Sequence, residues 1–305
     1  MAAIQTQFDA FHSRIKLDDD DERATLRQKR ETLVKDLREK LPEDVPAFKE
    51  FNQGSYAMNT GTVPLNGNYD IDVGLVFECK QDKYKDPVEL KKKVRDALNR
   101  LNRTVDIRRP CVTVTYLRDG NPEYHLDLAI YAQRDDGLLD LAVGKEFSLP
   151  AERKWQISNP KGLTGLIKDR LKEDEAAQFR RCVRYMKRWR DHKFSNGGAP
   201  LSIALTVAAY HWFQPYQELS GKFVDLAALK NLTSDMLNNF TATWCEEGLS
   251  WGPLTSRWVS TSTCPSWTPR RWRSGCTVPR AASWAISPSS FANLYGMCSM
   301  PSGRP

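Results

Sequence analysis

Apolar residues fall at helical spacing early in the chain and then switch to alternation. In residues 20–41 (DDERATLRQKRETLVKDLREKL), Leu26, Leu33, Leu37 and Leu41 form one stripe, which predicts a helix that braces the fold through one face. Asp18–Glu22 suit the N-terminal end of its dipole, and Pro42 follows its end. Further on, Tyr69–Glu78 (YDIDVGLVFE), Pro110–Leu117 (PCVTVTYL) and Tyr124–Tyr131 (YHLDLAIY) alternate and are rich in Val, Ile, Tyr and Phe. These three segments predict strands. Asp119-Gly120-Asn121-Pro122 marks a hairpin turn between the last two. Asp86–Leu101 predicts a helix joining the first strand to the second, with Pro87 in its first turn.

From Asn159 the pattern is helical. Pro160–Leu171 and Asp174–His192 predict two helices, and Asn196-Gly197-Gly198-Ala199-Pro200 breaks the chain. Leu201–Phe213 reads as a buried apolar helix, and Val224–Asn231 and Ser234–Phe240 continue the helical part. The expected architecture is α+β: a mixed sheet with helices, then a helical domain, with a cleft between the two.

Composition changes the picture at one place. The 305 residues are 40% hydrophobic and 27% charged, a globular profile that excludes a wholly disordered or collagen-like chain. No apolar run reaches the length of a membrane span, and the N-terminal residues lack the pattern of a secretory signal. The seven cysteines form no CxxC pair, so they read as cytosolic thiols with neither a disulfide framework nor a zinc site. The formal net charge of +7 is uneven: the first 247 residues carry 39 Lys+Arg against 38 Asp+Glu, and beyond Glu247 there are six Arg and no Asp, Glu or Lys. Residues 248–305 also hold five of the nine Trp and three of the seven Cys, with no sustained period. The expectation is an aberrant tail produced by a reading-frame shift starting near Trp244–Gly248; a genuine basic low-complexity tail is the alternative.

The chemistry begins with carboxylates in the wrong place. On a strand, residues two apart share a face, so Asp70, Asp72 and Gly74 line one face while Ile71, Val73, Leu75 and Phe77 line the other. Two neighbouring carboxylates repel each other and resist desolvation, and a cation would compensate. Asp127 repeats the pattern: His125, Asp127 and Ala129 share a face, and Leu126, Leu128 and Ile130 take the opposite one. An Asp amid so apolar a strand is expensive unless it is paired or metal-bound. Three such residues on adjacent strands can hold two Mg²⁺ ions, and a two-ion site stabilises both the attacking and the leaving oxygen of an in-line phosphoryl displacement. Upstream, Gln53-Gly54-Ser55-Tyr56 precedes a short helix. Gly54 permits close backbone approach, and Ser55 can offer its hydroxyl and N–H to an anion.

Gly54-Ser55, then Asp70-x-Asp72 on a strand, then Asp127 on a later strand, resembles the polymerase-β-type nucleotidyltransferase superfamily. The finer pattern is similar to the bacterial CD-NTases, the cGAS/DncV-like nucleotidyltransferases of CBASS anti-phage defence. It includes Gln53-Gly54-Ser55-Tyr56, the DIDVGLVFE strand, WQISNP at Trp155–Pro160 as a crossover, and Tyr185-Met186-Lys187-Arg188-Trp189 followed by Pro200-Leu201-Ser202. The resemblance covers about residues 5–240. It implies a nucleotidyltransferase catalytic domain over 1–158 that includes the bracing helix. A helical domain follows over 159–247, like the C-terminal domain of oligoadenylate synthases, with the tail from 248 to 305 outside both.

The implied roles are Asp70, Asp72 and Asp127 as catalytic residues and ligands of two Mg²⁺ or Mn²⁺ ions. Gln53, Gly54 and Ser55 fall to nucleotide binding, with Gly54 and Ser55 on the β- and γ-phosphates and Lys187 and Ser202 on the triphosphate. Two readings stay open for the last pair. Lys187 belongs either to the triphosphate site or to a solvated cationic face with Arg180, Arg181, Arg184 and Arg188; Ser202 is either a phosphate ligand or a helix cap. His125 either orients a carboxylate or is a satisfied core histidine.

The implied activity is synthesis of a cyclic di- or trinucleotide second messenger from nucleoside triphosphates such as ATP and GTP, in the cytoplasm. The product would act on an effector protein, with ancillary defence proteins as further partners. The four histidines lie apart from each other and from any paired Cys. The zinc thumb of the DNA-sensing animal enzyme is therefore not visible, and neither DNA activation nor membrane association is expected. The alternatives are transfer of nucleotides to RNA, protein or a small molecule, and an inactive nucleotide-binding protein whose helical domain is spoiled by the altered tail.

Overall fold

The computed structural model describes residues 2–17, 22–65, 67, 69–100, 103–118, 120–195, 198–245 and 248–253. The chain divides into two compact units, Leu17–Leu166 and a second made of the residues up to 16 together with those from 167 onward.

The first unit is built on a seven-stranded mixed sheet with the order β1-β2-β5-β4-β3, extended by β6 and β7. Its strands are β1 (Phe48–Asn52), β2 (Tyr69–Phe77), β3 (Arg103–Ile107), β4 (Val112–Arg118), β5 (Asn121–Gln133), β6 (Leu139–Val143) and β7 (Lys154–Ser158). β2 runs parallel to β5, and the other pairs are antiparallel. β5 is long enough to pair with β4 through Val112↔Leu128 at one end and with β6 through Tyr131↔Leu141 at the other.

Alternation decides which face is dry. Ile71, Val73, Leu75 and Phe77 of β2 and Leu126, Leu128 and Ile130 of β5 are all buried. They share one core with Leu26, Leu33 and Leu37 of helix α2 (Glu22–Lys40) and Leu90, Val94 and Leu98 of α4 (Pro87–Leu98). The predicted α2 stripe is thus the surface that packs. Asp18–Asp21, read as the acidic start of that helix, lie outside the described residues. At α4, Asp86 caps the first turn by accepting a hydrogen bond from the Val88 N–H, and Pro87 sits where no N–H is required.

Two polar anchors tie the layers together. Asp36 of α2 accepts from Arg100 and from buried Arg103 of β3 at 2.7 and 2.9 Å. Lys91 of α4 is fully buried, and its Nζ donates to the carbonyls of Arg108, Arg109 and Gly144 at 2.6, 3.0 and 2.9 Å.

In the second unit, α1 (Ala2–Ile15) packs with α6 (Glu173–Lys193) and α8 (Asp225–Asn239), and α6 also packs on α7 (Ser202–Trp212). Phe8, Phe11 and His12 of α1 surround the Tyr185 ring. Fully buried Asp225 is held by a two-point contact from Arg181, by the Tyr185 hydroxyl, and by its own N–H donating to Gln5 Oε1. Burial and the nearby Arg184 and Arg181 push His12 down to about 4. Among the described residues no helix is long and apolar enough to cross a membrane.

The structure differs from expectation at several elements. Residues 2–15 form a helix that joins the second unit and not the sheet. β1, β3 and β6 were too short or too charged to read as strands. WQISNP, expected as a crossover, is mostly strand β7, which pairs with β6, before α5 (Pro160–Asp169) begins. The two helices expected between 224 and 240 are a single α8: Thr233 Oγ1 donates back to the Leu229 and Lys230 carbonyls, so the polar residue is satisfied within the helix. Phe240 already belongs to β8 (Phe240–Cys245), which pairs with β9 (Gly248–Pro253). The rest of the tail, together with Asp119 of the predicted turn and Asn196-Gly197 of the predicted break, lies outside the described residues.

Candidate active site

The open face of β2 and β5 carries the carboxylates. The parallel register sets Asp72 beside Asp127 and Asp70 beside His125. Each of Asp70, Asp72 and Asp127 offers an oxygen, and the three oxygens lie within 4.8 Å of one another. At that spacing two full negative charges repel by at least about 3 kcal/mol in an effective dielectric of about 20. The consequence shows at Asp70, whose carboxyl, though exposed at its edge, is pushed up to about 8 by desolvation within the cluster and by the charges of Asp72 and Asp127, with Arg108 opposing. Three carboxylates crowded in this way favour a shared hard cation, and carboxylate oxygens are the donors such cations take. The residues present therefore fit divalent ions.

The turn after β1 is moulded around the same group. Gly54 has a positive φ of 63° and opens the short helix α3 (Gly54–Ala57). A Cβ built there would stand 1.8 Å from Asp72 Oδ2, so only glycine leaves room for the carboxylate. The Gln53 N–H donates to the Asp72 carbonyl at 3.1 Å, and Gln53 Oε1 accepts from the Tyr131 hydroxyl at 3.0 Å. The Ser55 carbonyl accepts from the Thr60 N–H. Gln53 and Gly54 are thus in direct contact with Asp72 or its backbone, and Ser55 follows them in the first turn of α3.

Behind the acids, β4 supplies hydroxyls. Val112, Val114 and Tyr116 point into the core, while Thr113 and Thr115 take the opposite face. Thr113 Oγ1 donates to Asp127 Oδ1 at 2.5 Å, and Thr115 Oγ1 lies 2.9 Å from His125 Nδ1. Burial and Arg108 lower the His125 pKa. Of the two readings of His125, the structure gives it a threonine partner beside the acids and no direct hydrogen bond to a carboxylate among the contacts seen. Neither threonine was singled out in the sequence, although the alternation in PCVTVTYL was the available signal.

The remaining two candidates belong to the second unit. Lys187 on α6 is buried at 4% exposure, and Arg184 is also buried. The reading of that helix side as a solvated cationic face is therefore wrong. Its cations turn inward because Arg181 finds Asp225 and Arg184 finds His12 Nε2 at 3.1 Å. Ser202 is the first residue of α7, and the capping position before it is Leu201, with no side-chain cap bond. The cap reading of Ser202 is likewise overturned. Its carbonyl accepts from Thr206 Oγ1.

A mixed sheet presenting three aspartates beside a Gly-Ser turn is the arrangement that the resemblance to polymerase-β-type nucleotidyltransferases implies. Residues 48–131, which run from the start of β1 through Asp127, match the family model for the nucleotidyltransferase domain of DncV-like cyclic GMP-AMP synthases. This segment is similar to the nucleotidyltransferase domain of DncV-like proteins.

A cyclic GMP-AMP synthase from Escherichia albertii is 27% identical over an alignment of 204 residues that covers 62% of this chain and 43% of that protein. The chain thus spans less than half the length of this curated relative. Among solved structures, the CD-NTase CdnG of Bradyrhizobium diazoefficiens in complex with GTP superimposes with a TM-score of 0.58 at 16% identity, covering 75% of this chain and 74% of that one. Vibrio cholerae DncV in complex with nonhydrolyzable GTP gives 0.54 at 21%, covering 83% and 63%. Lys187 and Ser202 lie outside the matched family segment.

Proposed function

We propose that this protein is a metal-dependent cyclic oligonucleotide synthase that joins nucleoside triphosphates into a cyclic di- or trinucleotide, releasing pyrophosphate, and that the product is a second messenger of CBASS anti-phage defence in the cytoplasm. The observation that carries the reading is the convergence of Asp70, Asp72 and Asp127 to within 4.8 Å beside the Gly54 turn. The likeness to DncV-type synthases supports cyclisation over other nucleotidyl transfers.

In this reading Asp70, Asp72 and Asp127 hold two Mg²⁺ or Mn²⁺ ions. Bound there, the ions would neutralise charge on the attacking and leaving oxygens. Gln53 fixes the turn through Tyr131, and Gly54 and Ser55 present their backbone and the Ser55 hydroxyl to the phosphates. Lys187 adds a positive charge and Ser202 a hydroxyl to the triphosphate. The 2′- or 3′-hydroxyl of the acceptor nucleotide attacks the α-phosphorus. Its proton passes to the Asp127 carboxylate and on to water as the bond to pyrophosphate breaks. ATP and GTP are the substrates first to be tried, and the product would act through an effector protein, with ancillary defence proteins as further partners.

The test is to incubate the full chain with labelled nucleoside triphosphates and Mg²⁺ or Mn²⁺, then with phosphatase. Phosphatase-resistant product that falls at least about 100-fold in Asp70→Ala/Asp72→Ala is expected. Label that appears only when an RNA or protein acceptor is added would overturn cyclisation in favour of transfer to that acceptor.

A further inference from the structure

We infer that Thr113 is a positioning residue that orients Asp127 for cation binding, the middle link of a short polar chain running Cys111–Thr113–Asp127. The inference rests on the reading of Asp127 as a cation ligand given above.

The geometry is specific. Thr113 is 1% exposed, sits directly across from Asp127 in the antiparallel register, and donates its hydroxyl to Oδ1. A threonine has one O–H to give. With that proton committed to the carboxylate, the remaining contact of Oγ1, with Cys111 Sγ at 3.6 Å, must have the thiol as donor. Cys111 is itself buried, so the thiol has no solvent partner to compete for its proton. Both donors stand behind the Asp127 carboxylate on the neighbouring strand. A carboxylate gripped in this way cannot swing about its terminal torsion, so the reorientation otherwise needed on binding a cation is already made.

Partners of this kind behind a metal ligand typically change cation affinity by about 10–100-fold when removed. Thr113→Val keeps the shape and deletes the hydroxyl, while Thr113→Ser keeps the hydroxyl and deletes a methyl group. The probe is Mn²⁺ alone, titrated into the full chain without nucleotide, with the free ion followed by electron paramagnetic resonance.

Wild type is expected to bind Mn²⁺, and Asp127→Asn to lose that binding. Thr113→Val should bind at least about 10-fold more weakly, with Thr113→Ser within about 3-fold of wild type. The thermal midpoint of each variant shows that the fold is retained; where Thr113→Val does not fold, the serine variant with normal affinity beside Thr113→Ala with weak affinity supports the same conclusion. Equal affinity in Thr113→Val and wild type, with Asp127→Asn defective, overturns the role of Thr113 alone. Failure of wild type to bind, or normal binding by Asp127→Asn, overturns the cation site itself and this inference with it.

Discussion

At the scale of single residues, the three aspartates were legible because alternation exposes a polar residue on an otherwise apolar strand. Gly54 was legible as a permissive position, but its reason is visible only in three dimensions: the space a side chain would occupy belongs to Asp72. Asp70 yields a prediction with a definite sign. Its folded pKa is raised to about 8, so the folded protein holds that proton more tightly than the unfolded chain does. The associated stability is complete below the ordinary carboxylate range and is lost as pH rises toward 8. In the presence of a chelator, the thermal midpoint should fall across that window. Asp70→Asn should flatten the fall, and Mg²⁺ should raise the midpoint most at the alkaline end. A midpoint that rises with pH in chelator, or that falls equally in Asp70→Asn, would contradict the assignment.

At the scale of elements, β4 explains what the sequence concealed. A tight hairpin continued without interruption from Leu117↔Pro122 would set Val112 against Asp127. The register shift between Tyr116 and Leu117 moves the pairing by one, so that Thr113 meets Asp127 and the valines stay in the core. A one-residue slip exchanges the two faces of a strand, and no pattern in PCVTVTYL announces it. The short strands were equally hidden: KWQIS and RTVDI carry too few apolar residues to show a period, and they are strands because the sheet edge accepts them. Lys91 opens the run Lys91-Lys92-Lys93, yet it is fully buried and binds three carbonyls from two separate segments. Lys91→Met keeps the length and removes the donors, and should cost about 2–4 kcal/mol in urea unfolding, because those carbonyls lose a charged partner. A cost below about 1 kcal/mol would mean that water replaces the ammonium without penalty.

At the scale of the molecule, the sequence changes from alternation to helical spacing near residue 159, whereas the compact units divide between Leu166 and Ile167, and the allegiance of the first helix was not legible. Nothing local in AAIQTQFDAFHSRI says that its aromatic face fits Tyr185 of a helix about 175 residues away. The carboxylates and the Gly54 turn belong to one unit, and Lys187 and Ser202 to the other. Their common service to one triphosphate is the part of the proposal that only a bound nucleotide can test. The most direct measurement is anomalous diffraction from crystals of the full chain grown with Mn²⁺ and a nonhydrolysable nucleoside triphosphate. Two manganese peaks ligated by Asp70, Asp72 and Asp127, with the triphosphate against Gly54 and Ser55, are predicted. A nucleotide bound with no manganese at these three residues, or manganese held by other side chains, would contradict the account.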